Sequence, residues 1–248
     1  MLNRNMESNE YIAQQYLDIL LDKLRELREN AGSIANAAQL LFECVQKGGR
    51  IFAFGSGHSH MIAEEIYTRA GGYAPLKAIL PPELMLHEMP IKSTYLERLP
   101  GYAAQLIALY KLRENDALII ISNSGRNAAP VEMASLAKEA GCKVIGVTSM
   151  IHSGAVASRS GEKRLFELCD VVLDNRAEKG DAALRIEGLA PPVGATSTVT
   201  GAALVQAVMA CFVQKLVEAG QTAPVFYSSN LDGADAENER LFEQYCGA

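Results

Sequence analysis

Ala117-Leu118-Ile119-Ile120-Ile121, followed by Ser122-Asn123-Ser124-Gly125-Arg126-Asn127, decides the fold. Five uncharged residues, three of them consecutive isoleucines, describe a strand buried on both faces, as in the middle of a parallel sheet. A short polar turn with one glycine comes next. Ala128 to Ala140 then reads as a helix, with Pro130 tolerated in its first turn and Gly141 as its stop. Upstream the same unit recurs. Arg50 to Phe54 is strand-like, Gly55-Ser56-Gly57-His58-Ser59-His60 is the turn, and Ser59 to Ala70 is helical.

Working outward, Ala74 to Leu80 reads as a short strand closed by Pro81-Pro82, and Pro100 to Leu112 as a helix. Lys143 to Val147 and Asp170 to Leu173 are further strands. Strands alternating with helices in this way predict an α/β fold, a parallel sheet covered on both faces. Before the sheet, Tyr16, Leu17, Leu20, Leu21, Leu24 and Leu27 recur at helical spacing. Gly32 breaks that pattern, and Ser33 is placed to cap a second helix carrying Ile34, Ala37, Ala38, Leu41 and Val45. After Asn175 the alternation fades. Ala190 to Gly194 reads as an extended loop, Thr196-Ser197-Thr198 as a cap, and Val199 to Ala219 as a helix apolar almost all round, hence buried in a core or an interface. The tail from Ser228 to Ala248 is polar and acidic, with one amphipathic turn around Leu241, Phe242 and Tyr245.

The bulk numbers exclude several classes of function. A net charge of -6 without a basic tract argues against nucleic acid as a partner. The five cysteines are scattered without a Cys-x-x-Cys pair, so neither structural zinc nor a disulfide framework is expected, and reduced core thiols are. Met1 to Glu10 is polar and not a signal peptide. Gly201 to Val213, the longest apolar stretch, falls short of the roughly 20 residues of a membrane span. The expectation is a cytoplasmic protein without a membrane partner.

In an open parallel sheet, ligands bind beyond the carboxyl ends of the strands. The segments there are Gly55 to His60, Pro81 to Lys92, Ser122 to Asn127 and Thr148 to Ser153, and they hold all 4 histidines. Helix starts present unpaired N–H groups, glycine lets the backbone approach a ligand, and serine adds donors, so the two Gly/Ser loops read as an oxyanion cradle, with phosphate the expected anion. The first loop lacks the third glycine of a dinucleotide fingerprint and the Gly-Lys-Ser/Thr of a nucleotide P-loop. Acid/base chemistry has several candidates. Glu83 and His87 share a face at i,i+4 spacing if their segment is helical. His60 is divided between substrate contact and packing at a helix start. Glu64 and Glu65 are divided between catalysis and favourable placement near a helix N-terminus. His58, His60 and Glu64 are a conceivable cation set; the expectation is that no metal and no cofactor is held.

With these residues the sequence resembles the sugar isomerase (SIS) domain family. The resemblance rests on Gly55-Ser56-Gly57-His58-Ser59, on Ser122-Asn123-Ser124-Gly125-Arg126-Asn127 and on Gly146-Val147-Thr148-Ser149, and it spans roughly Gln39 to Leu216. It implies a flavodoxin-like three-layer α/β/α sandwich with a five-stranded parallel sheet, a homodimer and a sugar phosphate ligand. The whole chain, 1–248, is then a single SIS domain with a helical extension at its start and a short acidic tail. Carried over by position, Ser122, Asn123, Ser124, Gly125 and Asn127 form the phosphate cradle. Ser56, Gly57 and Ser59 approach sugar or phosphate, and Thr148, Ser149 and Ser153 line the same edge. Within the family the chain is most similar to stand-alone phosphosugar isomerase-like members. Sedoheptulose-7-phosphate isomerases carry a glutamate where this chain reads Tyr67-Thr68-Arg69-Ala70, and the Gly-Thr-Ser-Gly run of the muramic acid phosphate etherases is absent. The expected activity is aldose–ketose isomerisation by proton transfer, with Glu83, His87, His60 and Glu65 as the acid/base residues. A non-catalytic phosphosugar sensor and an etherase-type carbon–oxygen lyase are the alternatives.

Overall fold

The computed structural model describes the backbone of residues 2–161 and 163–247, with side chains from Asn9 onward. Met1, at the head of the polar opening stretch, and Ala248, at the end of the tail, lie outside the described residues. Five strands form one parallel sheet: β1 (Ile51–Gly55), β2 (Lys77–Ile79), β3 (Ala117–Ile121), β4 (Lys143–Thr148) and β5 (Val171–Asp174). Their order is β2-β1-β3-β4-β5, the flavodoxin-like winding, which reverses direction between β1 and β3. The register sets Gly55 beside Ile121 and Ile121 beside Val147, so the strands end level and their loops emerge at one edge.

Strand side chains alternate between faces, and this divides the core in two. Ile51, Ala53, Ile119, Ile121, Ile145 and Val147 pack under α2 (Ala31–Gln46), α3 (His60–Glu65) and α8 (Ser197–Glu218). Phe52, Phe54, Leu118, Ile120 and Val144 pack under α5 (Tyr102–Tyr110) and α6 (Ala128–Glu139). Each Val, Leu, Ile or Phe side chain among these, once buried, stabilises the fold by about 1.5–3 kcal/mol. The opposite edge of the sheet is pinned by Asp116, which is fully buried. Its carboxylate accepts from the Arg50 amide at 2.8 Å, the Arg50 guanidinium at 2.6 Å and the Arg113 amide at 3.1 Å.

Several local expectations are corrected. The first helix, α1 (Leu2–Glu29), is followed after Asn30 by α2, so Gly32 lies inside the second helix and Ser33 caps nothing; its hydroxyl donates to the Asn30 carbonyl. Leu20 and Leu27 are buried, whereas Leu17 and Leu21 are exposed. The helix after the first loop ends at Glu65 rather than Ala70, because the chain beyond it pairs with the C-terminal segment: Gly71 donates to Phe226 and Ala74 to Pro224. A helix at Pro90–Glu97 (α4) was not expected, although Pro90 at its first position is a start signal. The stretch read as extended loop carries Val193–Ala195 (β7), antiparallel to Ala182–Leu184 (β6).

Helix α8 departs from expectation in three ways. Its buried residues, among them Leu204, Val208, Phe212 and Leu216, form one stripe against α2 and α3, while Val199 and Val217 are exposed. The Thr196 side chain makes no capping bond; Asp181 caps from outside, its carboxylate accepting from the Ser197 amide at 2.8 Å and the Thr196 amide at 3.0 Å. With 22 residues and a mean hydropathy of 1.5, α8 is also long and apolar enough to cross a membrane, a length the 201–213 window understated; here it serves as a core helix. At the C-terminal end, α9 (Ala234–Leu241) and a π-helical turn (Phe242–Cys246) replace the single amphipathic turn, and Phe226 and Leu241 pack on Ala74. All five cysteines are free, but only Cys44 and Cys142 are buried and Cys211 is exposed.

Candidate functional site

The winding reverses between β1 and β3, so the loop after β1 and the loop after β3 flank the crevice where doubly wound sheets bind ligands. The second loop is held by hydrogen bonds from three neighbouring segments and within itself. The Ser122 hydroxyl accepts the Gly125 amide at 3.2 Å, and Ser122 is almost fully buried. The Asn123 carbonyl accepts from the Ser149 amide at 3.1 Å and from the Thr148 hydroxyl at 3.2 Å, while its side-chain oxygen accepts from the Asn175 amide group at 3.1 Å. Gly125 has φ 55°, the left-handed region, and a Cβ there would stand 3.0 Å from Ser153 Oγ.

The helix that this loop opens has no cap. Asn127 occupies the N-cap position of α6, yet its side chain makes no capping bond; its oxygen instead accepts from Arg159 at 3.2 Å. The first amides of the 12-residue α6 are thus left to an external acceptor at the positive end of the helix dipole. Ser124 is half-buried at the same turn. In the first loop, Gly57 opens a 3-10 turn with His58 and Ser59 and has φ 56°, and neither Ser56 nor Ser59 uses its hydroxyl as a cap.

Below the second loop, β4 runs into the short helix α7 (Met150–Gly154). Thr148, Ser149 and Ser153 are fully buried. The Thr148 hydroxyl is spent on Asn123, and that of Ser149 donates to the Ala177 carbonyl at 2.6 Å while accepting the His152 amide at 3.0 Å. Ser153 Oγ is buried without a partner beneath Gly125. These residues brace the second loop from below. Asn175 and Arg159, which do the same from the far side, were missed by sequence reasoning; the place of Asn175 directly after β5 was the available signal.

Among the acid/base candidates, Pro81 to His87 is not an α-helix. Pro82–Leu84 is a 3-10 turn followed by bends, so Glu83 and His87 do not form the i,i+4 pair. Glu83 Oε2 is buried without a partner, and burial, with the Glu83 charge adding, pushes the Tyr102 phenol up. Glu65 is committed elsewhere: it pairs with Arg69 and accepts from Gln206 at 3.1 Å. His87 instead meets His60, their rings edge to face with centroids 5.2 Å apart. Glu64 completes this group, and exposed His58 has no place in it. His152 sits behind the second loop. Its Nδ1 accepts the Gly180 amide at 2.8 Å, and burial, together with Arg126 and Lys179 and against Asp181, holds its pKa below the ordinary 6.5.

The sheet order and the uncapped helix start at its switch point define a class of fold, the doubly wound parallel α/β proteins. The family model described as SIS domain matches residues 15–149, and the chain belongs to the SIS domain family. The UPF0309 protein BH3325 of Halalkalibacterium halodurans is 50% identical over 93% of this chain and 95% of its own length. A UPF0309 protein of Geobacillus thermodenitrificans is 40% identical over 93% and 94%. Among solved structures, a phosphoheptose isomerase from Francisella tularensis has a similar fold: TM-score 0.54, 19% identity, 82% of this chain and 96% of that one. The Vibrio vulnificus NanR protein, complexed with ManNAc-6P, matches with TM-score 0.53 and 16% identity over 98% of this chain and 72% of its own.

Proposed function

We propose that this protein binds a sugar phosphate in the crevice between the β1 and β3 loops and interconverts its aldose and ketose forms. The observation that carries the reading is the uncapped start of α6, set beside Ser124 at the sheet's switch point with Asn127 drawn away by Arg159. The phosphate lies against the α6 amides and the Ser124 hydroxyl, and Ser56, Gly57 and Ser59 face the sugar. No lysine is needed, since aligned N–H dipoles and hydroxyls neutralise a phosphate locally even in a protein of net charge -6. Membership of the SIS domain family and the fold shared with a phosphoheptose isomerase support the assignment.

Moving a proton between adjacent carbons needs a base and a donor near the sugar oxygens. Glu83, with its unpartnered buried oxygen, is the base in this reading, and the His60–His87 pair serves the oxygens. The protein acts as a homodimer, for which the exposed Val199 and Val217 of α8 offer apolar surface; a monomer in sedimentation at micromolar concentration contradicts that part. A thermal-shift screen against a panel of sugar phosphates tests binding, because a ligand selective for the native state raises its stability. Ser124→Ala then weakens the binding found while costing at most about 1 kcal/mol of stability. Unchanged affinity in that variant rejects the loop assignment. NanR, a SIS-fold structure complexed with a sugar phosphate, favours a second reading, a sensor without turnover. Exchange of solvent protons into the bound sugar separates the two: an isomerase exchanges, a sensor does not.

A further inference from the structure

His60, Glu64 and His87 come from two places in the chain, the first turn of α3 and the bends after β2, and one ligand-type atom from each lies within 4.8 Å of the others. His60 is 2% exposed, and its Nε2 is buried without a hydrogen-bond partner. Leaving such an atom unsatisfied costs about 1–3 kcal/mol. Glu64 does not satisfy it: the carboxylate oxygen stands 3.6 Å away, too far for a hydrogen bond.

We propose that His60, Glu64 and His87 hold one divalent cation of the zinc type. The other ring nitrogen of His60, Nδ1, lies against the Gly57 carbonyl, which only accepts. It therefore carries the proton, and Nε2 presents a lone pair, the tautomer that metal-bound histidines owe to such a carbonyl partner. Around a tetrahedral zinc with bonds of roughly 2.0–2.2 Å, neighbouring ligand atoms stand roughly 3.3–3.5 Å apart. The 3.6 Å between His60 Nε2 and the Glu64 oxygen is close to that spacing. Two imidazoles and one carboxylate suit zinc or another late first-row ion better than magnesium or calcium, which favour all-oxygen sites. Glu64 and His87 are exposed, so the ion has a path in, and three protein ligands leave a position for water or a substrate oxygen. The site stands on its own geometry. Only its use, polarising the sugar carbonyl while Glu83 moves the proton, rests on the sugar phosphate reading.

The test uses tag-free, full-length protein stripped with a chelator and titrated with Zn²⁺ and Co²⁺. The expected result is one equivalent bound, a visible cobalt spectrum without a thiolate charge-transfer band, and a higher melting temperature with zinc. His87→Ala and Glu64→Gln change exposed residues, and circular dichroism verifies their folding. Loss of a mere outer-shell partner lowers metal affinity by about 10–100-fold, so each of these variants should lose at least about 100-fold. No stoichiometric binding, zinc affinity unchanged in both variants, or a thiolate band pointing to the cysteines overturns the proposal. Zinc uptake without sugar phosphate binding leaves this site standing and rejects the functional reading; the reverse result rejects only the cation.

Discussion

Gly55→Ala is the sharpest structural test of the first loop. A methyl group added to Gly55 stands 2.5 Å from the Ser59 carbonyl carbon and 2.9 Å from the His60 nitrogen, with the Ser59 oxygen also in conflict. Carbon contacts settle at about 3.5–4.0 Å, so the loop must retreat by roughly 1 Å. The obstacle is backbone on two successive residues, and no flexible side-chain end gives way. Overpacking of this kind costs about 1–3 kcal/mol, and the upper end is expected here. The displaced residues are Ser59 and His60, so ligand binding falls as well. Gly57→Ala is the control. Its added methyl meets nothing within 4 Å, but its φ is 56°, so only the left-handed penalty of roughly 1–2 kcal/mol applies. Urea unfolding followed by far-UV circular dichroism measures both, since the chain has no tryptophan to report by fluorescence. Equal or greater damage from Gly57→Ala would refute the steric argument and with it the close seating of the loop on the end of β1.

Asp116→Ala strips the Arg50 guanidinium and two amides of their shared acceptor and should cost about 3 kcal/mol in urea unfolding. Sugar phosphate affinity should stay within about twofold, since Asp116 adjoins the start of β3, at the far end from the loops. His152 predicts a pH dependence. Its folded pKa lies below 6.5, chiefly through burial, so as pH falls below 6.5 the unfolded chain binds a proton before the native one does. Stability therefore drops on acidification, by at most about 1.4 kcal/mol per pH unit for this single group. His152→Gln should flatten that slope between pH 6.5 and the lower native pKa; a profile identical to the parent's clears His152 of the effect.

The sheet was legible because its signal is local. Ala117 to Ile121 is uncharged and β-rich, and the helix after it has ordinary spacing, so strand, turn and helix agree. Helix ends were less so. Nothing within Ser59 to Ala70 announces that the residues after it pair with Pro224 and Phe226, and nothing near Thr196 announces that Asp181 takes over its cap. Both depend on partners distant in sequence. The site divides in the same way. The second loop was visible as a cluster of short polar residues around a glycine. Which serines and threonines at this sheet edge are buried was not, because Thr148, Ser149 and Ser153 differ from Ser124 only in burial and in what they bond. The meeting of His87 with His60 depends on bends where the spacing suggested a helix.

The crevice itself is open to a residue-resolved test. Nitrogen-15 amide spectra of the protein titrated with the sugar phosphate selected by thermal shift report which amides the ligand reaches. The account predicts the largest shifts at Ser124, Asn127 and Ala128, with a second set at Gly57 and Ser59. Shifts confined to the C-terminal residues around Tyr227 and Glu237, with those two loops silent, contradict it.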